Sequence, residues 1–213
     1  ALIDSTLVNE ISSINTTMNA AMIIHILAGG SSQRMGVDKR QLLLGGVVLP
    51  DWCRMTVESL DCKVNVIKED LRKGHGPLGG VETGLMHSMN AFHLFLSCDM
   101  PFVSALTIKD LIAVIQDDQT IACMEGSGKR GFPLGLPGSL LPFVKNELDE
   151  GRRSLHSLFH HPKVTVLRWG KEDEVEAMNL NTQDEFDQAE CRVRSGDLAP
   201  PITFRRGDLI KLP

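Results

Sequence analysis

Leu27-Ala28-Gly29-Gly30-Ser31-Ser32-Gln33-Arg34-Met35-Gly36-Val37-Asp38-Lys39 continues an apolar run that begins at Met22, and this junction decides the fold. A short apolar run that ends in a glycine pair has the pattern of a buried strand feeding a loop. Glycines there bring backbone N–H groups within hydrogen-bonding distance of phosphate oxygens, because no side chain blocks the approach. Arg34 adds a guanidinium that can fork onto phosphate oxygens. Lys39 adds a compact charge suited to a place where negative charge grows in a transition state. The competing reading is an ordinary strand-turn with surface basic residues; two glycines, an arginine and a lysine in one loop outweigh it. The spacing is neither G-x-x-x-x-G-K-[ST] nor G-x-G-x-x-G, which excludes the two common phosphate loops.

The pattern that follows predicts a short strand or hairpin over Gln41 to Leu49, around Gly45-Gly46, then a helix opened by Pro50 and carrying Trp52, Met55, Val57 and Leu60. A strand at Val64 to Ile67, a helix at Leu78 to Met89 and a strand at Phe92 to Ser97 follow. Ser104 is placed to cap a helix with Leu106, Ile108, Leu111, Ile112 and Ile115 at helical spacing. Gln119 to Met124 and Phe132 to Leu136 read as strands separated by a polar turn at Glu125 to Gly131. Helices at 139–149 and 153–160, a strand at Lys163 to Leu167, a strand-like Ala177 to Leu180 and a helix from Thr182 to Val193 complete the pattern. Strands alternating with helices predict an α/β fold of three layers, α/β/α, with a mostly parallel central sheet. In such sheets ligands gather at the carboxyl ends of the strands. The organisation expected is a polar N-terminal leader over 1–19, one domain over 20–193, and a tail over 194–213 placed to add an edge strand.

The 213 residues carry 22 Lys+Arg against 27 Asp+Glu, a net charge of -5, so no general basic field exists to hold nucleic acid by its phosphates. The absence of Tyr and the 5% aromatic content also argue against base-stacking platforms. The apolar run from Ala20 to Ala28 is interrupted by His25 and falls far short of the roughly 20 residues that span a bilayer. It lacks a preceding basic segment, which disfavours a secretory signal. Five scattered cysteines without C-x-x-C or zinc-ligand spacing fit reduced thiols and a cytoplasmic location.

Four further segments carry candidate chemistry. Gly76-Pro77-Leu78-Gly79-Gly80 is a rigid turn before a glycine-lined helix start, open to a base or phosphate at close range; tight helix–sheet packing is the alternative. Asp99 follows an apolar strand, where one carboxylate suits a magnesium ion that carries a nucleotide's phosphates. A capping role for Asp99 is weakened by Ser104. Asn179-Leu180-Asn181-Thr182 puts two amides on one face before a helix, either as ligands or with Asn181 or Thr182 as the cap. Arg152 and Arg153 at a helix start are unfavourable to the helix dipole, so an anionic partner or plain solvation must relieve them. His156 and His160 stand at metal-ligand spacing but lack the H-E-x-x-H pattern. Cys98 reads as a buried thiol, since its neighbours are apolar and no base stands near it in sequence.

These segments, in this order, resemble the molybdenum cofactor guanylyltransferase (MobA) family, within the nucleotide-diphospho-sugar transferase-like fold. The family pattern L-A-G-G-x-S-x-R-M-G-x-D-K is filled at Leu27 to Lys39, G-P-L-x-G at Gly76 to Gly80, C-D-x-P at Cys98 to Pro101, and N-x-N-T at Asn179 to Thr182. The likeness covers roughly Met22 to Val193. It implies that Leu27, Ala28, Gly29 and Gly30 hold the nucleotide with Gly76, Pro77 and Gly79, that Lys39 binds its phosphates, and that Asp99 carries Mg2+, with Mn2+ as an alternative. It further implies that Asp70 sits near the guanine and that Arg152, Arg153, Ser154, Asn179 and Asn181 face a pterin substrate, Asn181 having a second role in the metal's shell.

The implied reaction is transfer of GMP from GTP to molybdopterin or Mo-molybdopterin with release of pyrophosphate, catalysed by Arg34, Lys39 and Asp99. Other molybdenum cofactor biosynthesis proteins and recipient molybdoenzymes are the implied partners. Sister cytidylyltransferases usually show L-A-A-G and lack G-P-L-x-G, so Gly29 and Pro77 favour guanine by resemblance. A cytidylyl or other nucleotidyltransferase acting on a different phosphorylated acceptor, and a nucleotide-binding module without turnover, are the alternatives. Between Gly46 and Val64 the chain has only one helix's worth of sequence where the family normally places a further strand and a base-contacting loop. Either that strand is absent or the helix is shortened.

Overall fold

The computed structural model describes residues 21–29 and 38–199. The leader 1–19, the greater part of the tail, and Gly30 and Arg34 of the glycine loop lie outside the described residues. Six strands form the main sheet: β1 (Met22–Leu27), β4 (Lys63–Ile67), β5 (Phe92–Ser97), β6 (Ile121–Gly126), β7 (Lys129–Pro137) and β8 (Val164–Arg168), in the order β4-β1-β5-β7-β6-β8. β1 runs parallel to β4 and β5, and β6 parallel to β8. β7 alone is antiparallel to its neighbours, β5 and β6. The expected α/β/α layering and mostly parallel sheet are present.

Between Gly46 and Val64 the chain holds the second strand of a hairpin, one helix and the first residue of β4. A two-stranded hairpin, β2 (Leu43–Leu44) and β3 (Val47–Val48), turns at Gly45 and Gly46, whose φ values of 57° and 83° are those that a tight hairpin turn takes at both central positions. Helix α1 (Leu49–Val57), with Pro50 in its first turn, then leads straight to β4, which pairs directly with β1 at the sheet edge. Helix α2 spans Gly76–Leu85, shorter than the sequence reading. Helix α3 (Ala105–Asp118) is capped by Ser104, whose hydroxyl accepts from the Thr107 N–H at 3.2 Å. Helix α4 (Leu141–Asp149) and helix α5 (Gln183–Arg194) complete the set, and the segment read as a helix at 153–160 is a 3-10 turn, Leu155–His160. Strands β6 and β7 reach further than expected. Their turn is only Ser127-Gly128, because Glu125 pairs across the hairpin with Arg130, an opposite-charge pair that extends the ladder.

Alternation along the strands feeds two cores. Ile24, Ile26, Leu94 and Leu96 pack with α1 and α3 on one face. Phe95, Leu134 and Leu136 pack with α2, α4 and the 155–160 turn on the other. α2 lies close on β5 through Gly84. A Cβ there would meet Phe95 Cζ at 2.8 Å and collide outright with Cε1. Gly84→Ala is expected to destabilise the fold by about 1–3 kcal/mol, the usual cost of overpacking, as a lowered urea midpoint with unchanged slope.

His25 and His93 are buried on adjacent strands, His25 Nε2 lying 2.9 Å from His93 Nδ1 and His93 Nε2 2.7 Å from the Ser88 carbonyl. A carbonyl only accepts, so His93 carries its proton on Nε2 and accepts on Nδ1. His25 therefore donates from Nε2, which leaves its buried Nδ1 without a partner. Both rings are thus neutral. Burial first, and His93 second, lower the His25 pKa from 6.5 to about 3. An unfolded chain takes up this proton near pH 6.5 and the folded one does not. The contribution is therefore intact above pH 6.5 and is lost as pH falls towards 3. Between pH 7 and pH 5 the loss is about 2 kcal/mol. Urea titrations at the two pH values should show it, and His25→Leu should flatten it.

Candidate active site

The register of the parallel strands assembles the site. Leu27 is level with Ile67 on β4 and with Ser97 on β5, so Gly29, Asp70 and Asp99 each leave the same sheet edge two or three residues past a strand end. At that edge Lys39 Nζ donates to Asp99 Oδ2 and to Asn181 Oδ1, both at 2.9 Å. The Ser97 hydroxyl donates to Asp99 Oδ1 at 2.5 Å. The Asn179 amide lies against the same carboxylate, and with its nitrogen turned towards Asp99 it donates at 3.0 and 3.2 Å. Lys39 and Asp99 are both largely shielded, with side-chain exposures of 17% and 16%.

Local chemistry explains how the last segment delivers two amides. The cap of α5 is Thr182, which accepts from the Glu185 N–H at 3.2 Å, while the Glu185 carboxylate accepts from the N–H groups of Thr182 and Asn181, both at 2.8 Å. Asn181 is thereby freed from capping, and its side chain reaches Lys39. Ala177 to Leu180, expected to be strand-like, is the end of a turn followed by irregular chain outside the sheet. The Leu180 N–H bonds the Asp99 carbonyl at 2.8 Å instead of a strand partner, and Glu176 is held by the Ser104 N–H and the Thr107 hydroxyl at the start of α3. Those bonds hold Asn179 over Asp99.

Beside this cluster lies a cleft of about 750 Å³ lined by Leu27, Gly29, Asp70, Gly76, Pro77 and Ser97. Asp70 is packed on glycines: a Cβ at Gly80, Gly29 or Gly79 would stand 3.3, 3.4 or 3.7 Å from its carboxylate oxygens. Desolvation raises the Asp70 pKa, with His75 opposing it. Gly76 has a φ of +62°, and a Cβ on it would fall 2.8 Å from the Arg153 carbonyl. Glycine is required there twice over. Arg40, Lys68 and Lys73 line the same cleft and were not singled out in the sequence; their nearness to Lys39 and Asp70 was the available signal.

Several expected binding groups are engaged elsewhere. The Ala28 N–H bonds the Ile67 carbonyl at 2.8 Å and its side chain is buried, so this residue extends the sheet and offers no amide to a phosphate. The Leu78 N–H at the start of α2 is taken by the Arg153 carbonyl at 3.3 Å. Arg152 is tied to Glu147 by two bonds, at 2.5 and 2.6 Å, and to Glu150 at 2.5 Å. Its guanidinium relieves a nearly buried carboxylate on α4 and does not reach the cluster around Asp99. The Arg153 guanidinium reaches the Gly74 carbonyl at 3.5 Å, beside the cleft; Ser154 caps the 155–160 turn by accepting from the His156 N–H at 3.2 Å, yet it also lines a hollow beside that turn. Cys98 is buried and its thiol is pushed up to about 12, first by burial and then by Asp99, which makes it inert as a nucleophile. The five cysteines are free thiols.

Past Pro77 the cleft continues into two further hollows of about 410 and 620 Å³, between the β6–β7 hairpin and the 155–160 turn. No described helix is long and apolar enough to cross a membrane.

Residues 24–165 match the family model described as the MobA-like NTP transferase domain. A molybdenum cofactor guanylyltransferase of Desulfosudis oleivorans is 28% identical over 197 residues, covering 82% of this chain and 96% of that protein. Among solved structures, molybdopterin-guanine dinucleotide biosynthesis protein A of Archaeoglobus fulgidus shares the fold with a TM-score of 0.65 at 18% identity, over 82% of this chain and all of that one. The 2-C-methyl-D-erythritol 4-phosphate cytidylyltransferase of Thermus thermophilus shares it with a TM-score of 0.62 at 14% identity, over 82% and 99% of the two chains.

Proposed function

The chain belongs to the family of MobA-like NTP transferase domains, and from that premise we propose that it transfers GMP from GTP to the terminal phosphate of molybdopterin, in its molybdenum-bearing form, with release of pyrophosphate. It is a nucleotidyltransferase. The observation that carries the finer reading is the convergence of Lys39, Asp99, Asn179 and Asn181 at the mouth of a cleft that also contains Asp70.

Asp70 supports guanine on chemical grounds. The guanine edge offers two adjacent donors, N1–H and the 2-amino group, which match the two oxygens of one carboxylate. Cytosine offers a single amino donor beside a ring-nitrogen acceptor, and that acceptor would face the negative charge. Because desolvation raises the Asp70 pKa, two donors that stabilise its ionised form suit this position.

In the transfer an oxygen of the acceptor phosphate forms a bond to the α-phosphorus of GTP. The bond from that phosphorus to the bridging oxygen breaks, and pyrophosphate leaves with the electron pair. The attacking group is already anionic, so alignment and charge neutralisation matter more than a general base. Lys39 sits where charge accumulates on the triphosphate, held on Asp99 and Asn181 so that little reorganisation is needed. Asp99 Oδ2 and Asn181 Oδ1 already converge on one cationic nitrogen, and this all-oxygen donor set fits Mg2+, or Mn2+, completed by phosphate oxygens and water. Asp99 with Asn181 would hold the ion, which when bound supplies charge neutralisation across the phosphates.

A binding panel of GTP, CTP, UTP and ATP with magnesium tests the reading. GTP is expected to bind tightest; a preference for CTP would overturn the guanylyl assignment, and no binding of any of the four would overturn turnover altogether.

A further inference from the structure

The two hollows beyond Pro77 are built differently. The inner one, which Asn179 also lines, is walled by Met124, Phe132 and Trp169. The edge of the Trp169 indole packs on Gly126, where a Cβ would come within 2.8 Å of its Cδ1, and the Trp169 backbone N–H donates to the Glu125 carbonyl at 3.1 Å. The outer hollow shares Lys129 and Leu155 with the inner one and is rimmed by His156 and His160. A planar molecule that presents a phosphate at the Lys39–Asp99 cluster therefore has an apolar, aromatic slot for its middle and a polar rim for its far end.

The rim has a definite hydrogen-bonding pattern. His160 Nε2 and His156 Nδ1 are 3.1 Å apart, with the rings edge to face at a centroid distance of 4.6 Å. One of these nitrogens donates and the other accepts. If His160 donates, His156 presents an outward N–H and His160 an outward acceptor; if His156 donates, the two roles exchange. Across this hydrogen bond the pair offers one donor and one acceptor to a ligand in either arrangement. No group of three or more His, Cys, Asp or Glu side chains placed to hold a metal occurs among the described residues, so these two histidines lack a third ligand of those types.

We propose that the outer hollow is the subsite for the end of the acceptor remote from its reacting phosphate, and that His156 and His160 read the cyclic-amide edge of a planar heterocycle there, N–H against ring nitrogen and C=O against N–H. The assignment rests on the guanylyltransfer reading, since molybdopterin carries such an edge on its pterin, at the end opposite its phosphate. Arg130 is paired with Glu125, which Arg168 also engages, so that carboxylate is already neutralised. The acceptor site thereby moves from Arg152, committed to α4, to the hairpin and the 155–160 turn.

Steady-state kinetics of the full chain with GTP, magnesium and Mo-molybdopterin test this. Both histidines are exposed, so their replacement leaves the core intact. The double variant His156→Ala/His160→Ala is expected to raise the acceptor KM roughly tenfold or more, with kcat and the GTP KM within about twofold of wild type. His156→Gln/His160→Gln, whose amides keep a donor and an acceptor, is expected to recover most of that loss. An acceptor KM unchanged within about twofold in the alanine variant would overturn the subsite, and glutamine no better than alanine would overturn the donor–acceptor pattern. Wild-type protein that binds GTP yet turns over no Mo-molybdopterin would instead overturn the functional reading beneath both.

Discussion

Lys39→Ala is expected to lose about 2–4 kcal/mol of transition-state stabilisation, roughly 30- to 1,000-fold in kcat, as measured by pyrophosphate release at saturating GTP and acceptor. The size follows from what Lys39 does. Its ammonium is one preorganised charge in a largely shielded cluster, fixed by Asp99 and Asn181 at 2.9 Å each. On the proposed function, losing one donor of that kind removes stabilisation where charge develops, while the cleft around Asp70 is expected still to bind the nucleotide. The expected signature is therefore a fall in kcat with the GTP KM changed far less. Near-normal turnover in this variant would remove Lys39 from the chemistry.

Asp99→Asn is expected to cost about 10²-fold or more in kcat and to raise the magnesium concentration needed for half-maximal activity. The substitution keeps the shape of the side chain but removes the charge that holds Lys39 and would anchor the metal. It also places an NH2 where Asp99 now accepts from Lys39, Ser97 and Asn179, so at least one of those donors loses its acceptor. Folding should be preserved, because the carboxylate lies at a strand end and outside the hydrophobic cores, and unchanged circular dichroism is the control. An unchanged magnesium requirement would show that Asp99 holds no metal.

What was legible in the sequence was whatever depends on short-range pattern. The apolar run ending at Leu27, the Ser104 cap and the glycine pair at Gly45-Gly46 each state their conformation through local physics. Once β1, β4 and β5 are aligned in parallel, Gly29, Asp70 and Asp99 must emerge together. What stayed hidden was decided by partners distant in sequence or by competition between equivalent neighbours. Asn181 and Thr182 are both good caps; Glu185 settles the choice by closing a box with Thr182. Arg152 looked like a ligand because it sits unfavourably at a helix start, but Glu147 on the preceding helix takes it. Ala177 to Leu180 has the look of a strand, yet its bonds go to Asp99 and α3. The walls of the two hollows, with Trp169, Lys129 and His160, depend on the antiparallel insertion of β7 between β5 and β6, which no local pattern announces.

Transfer of label from α-phosphate-labelled GTP to Mo-molybdopterin, with magnesium and with the matching CTP reaction alongside, tests the central claim most directly. The expected result is a labelled guanine dinucleotide formed in step with pyrophosphate, and little or no product from CTP. Equal or greater transfer from CTP, or none from GTP under conditions where GTP is bound, would contradict it.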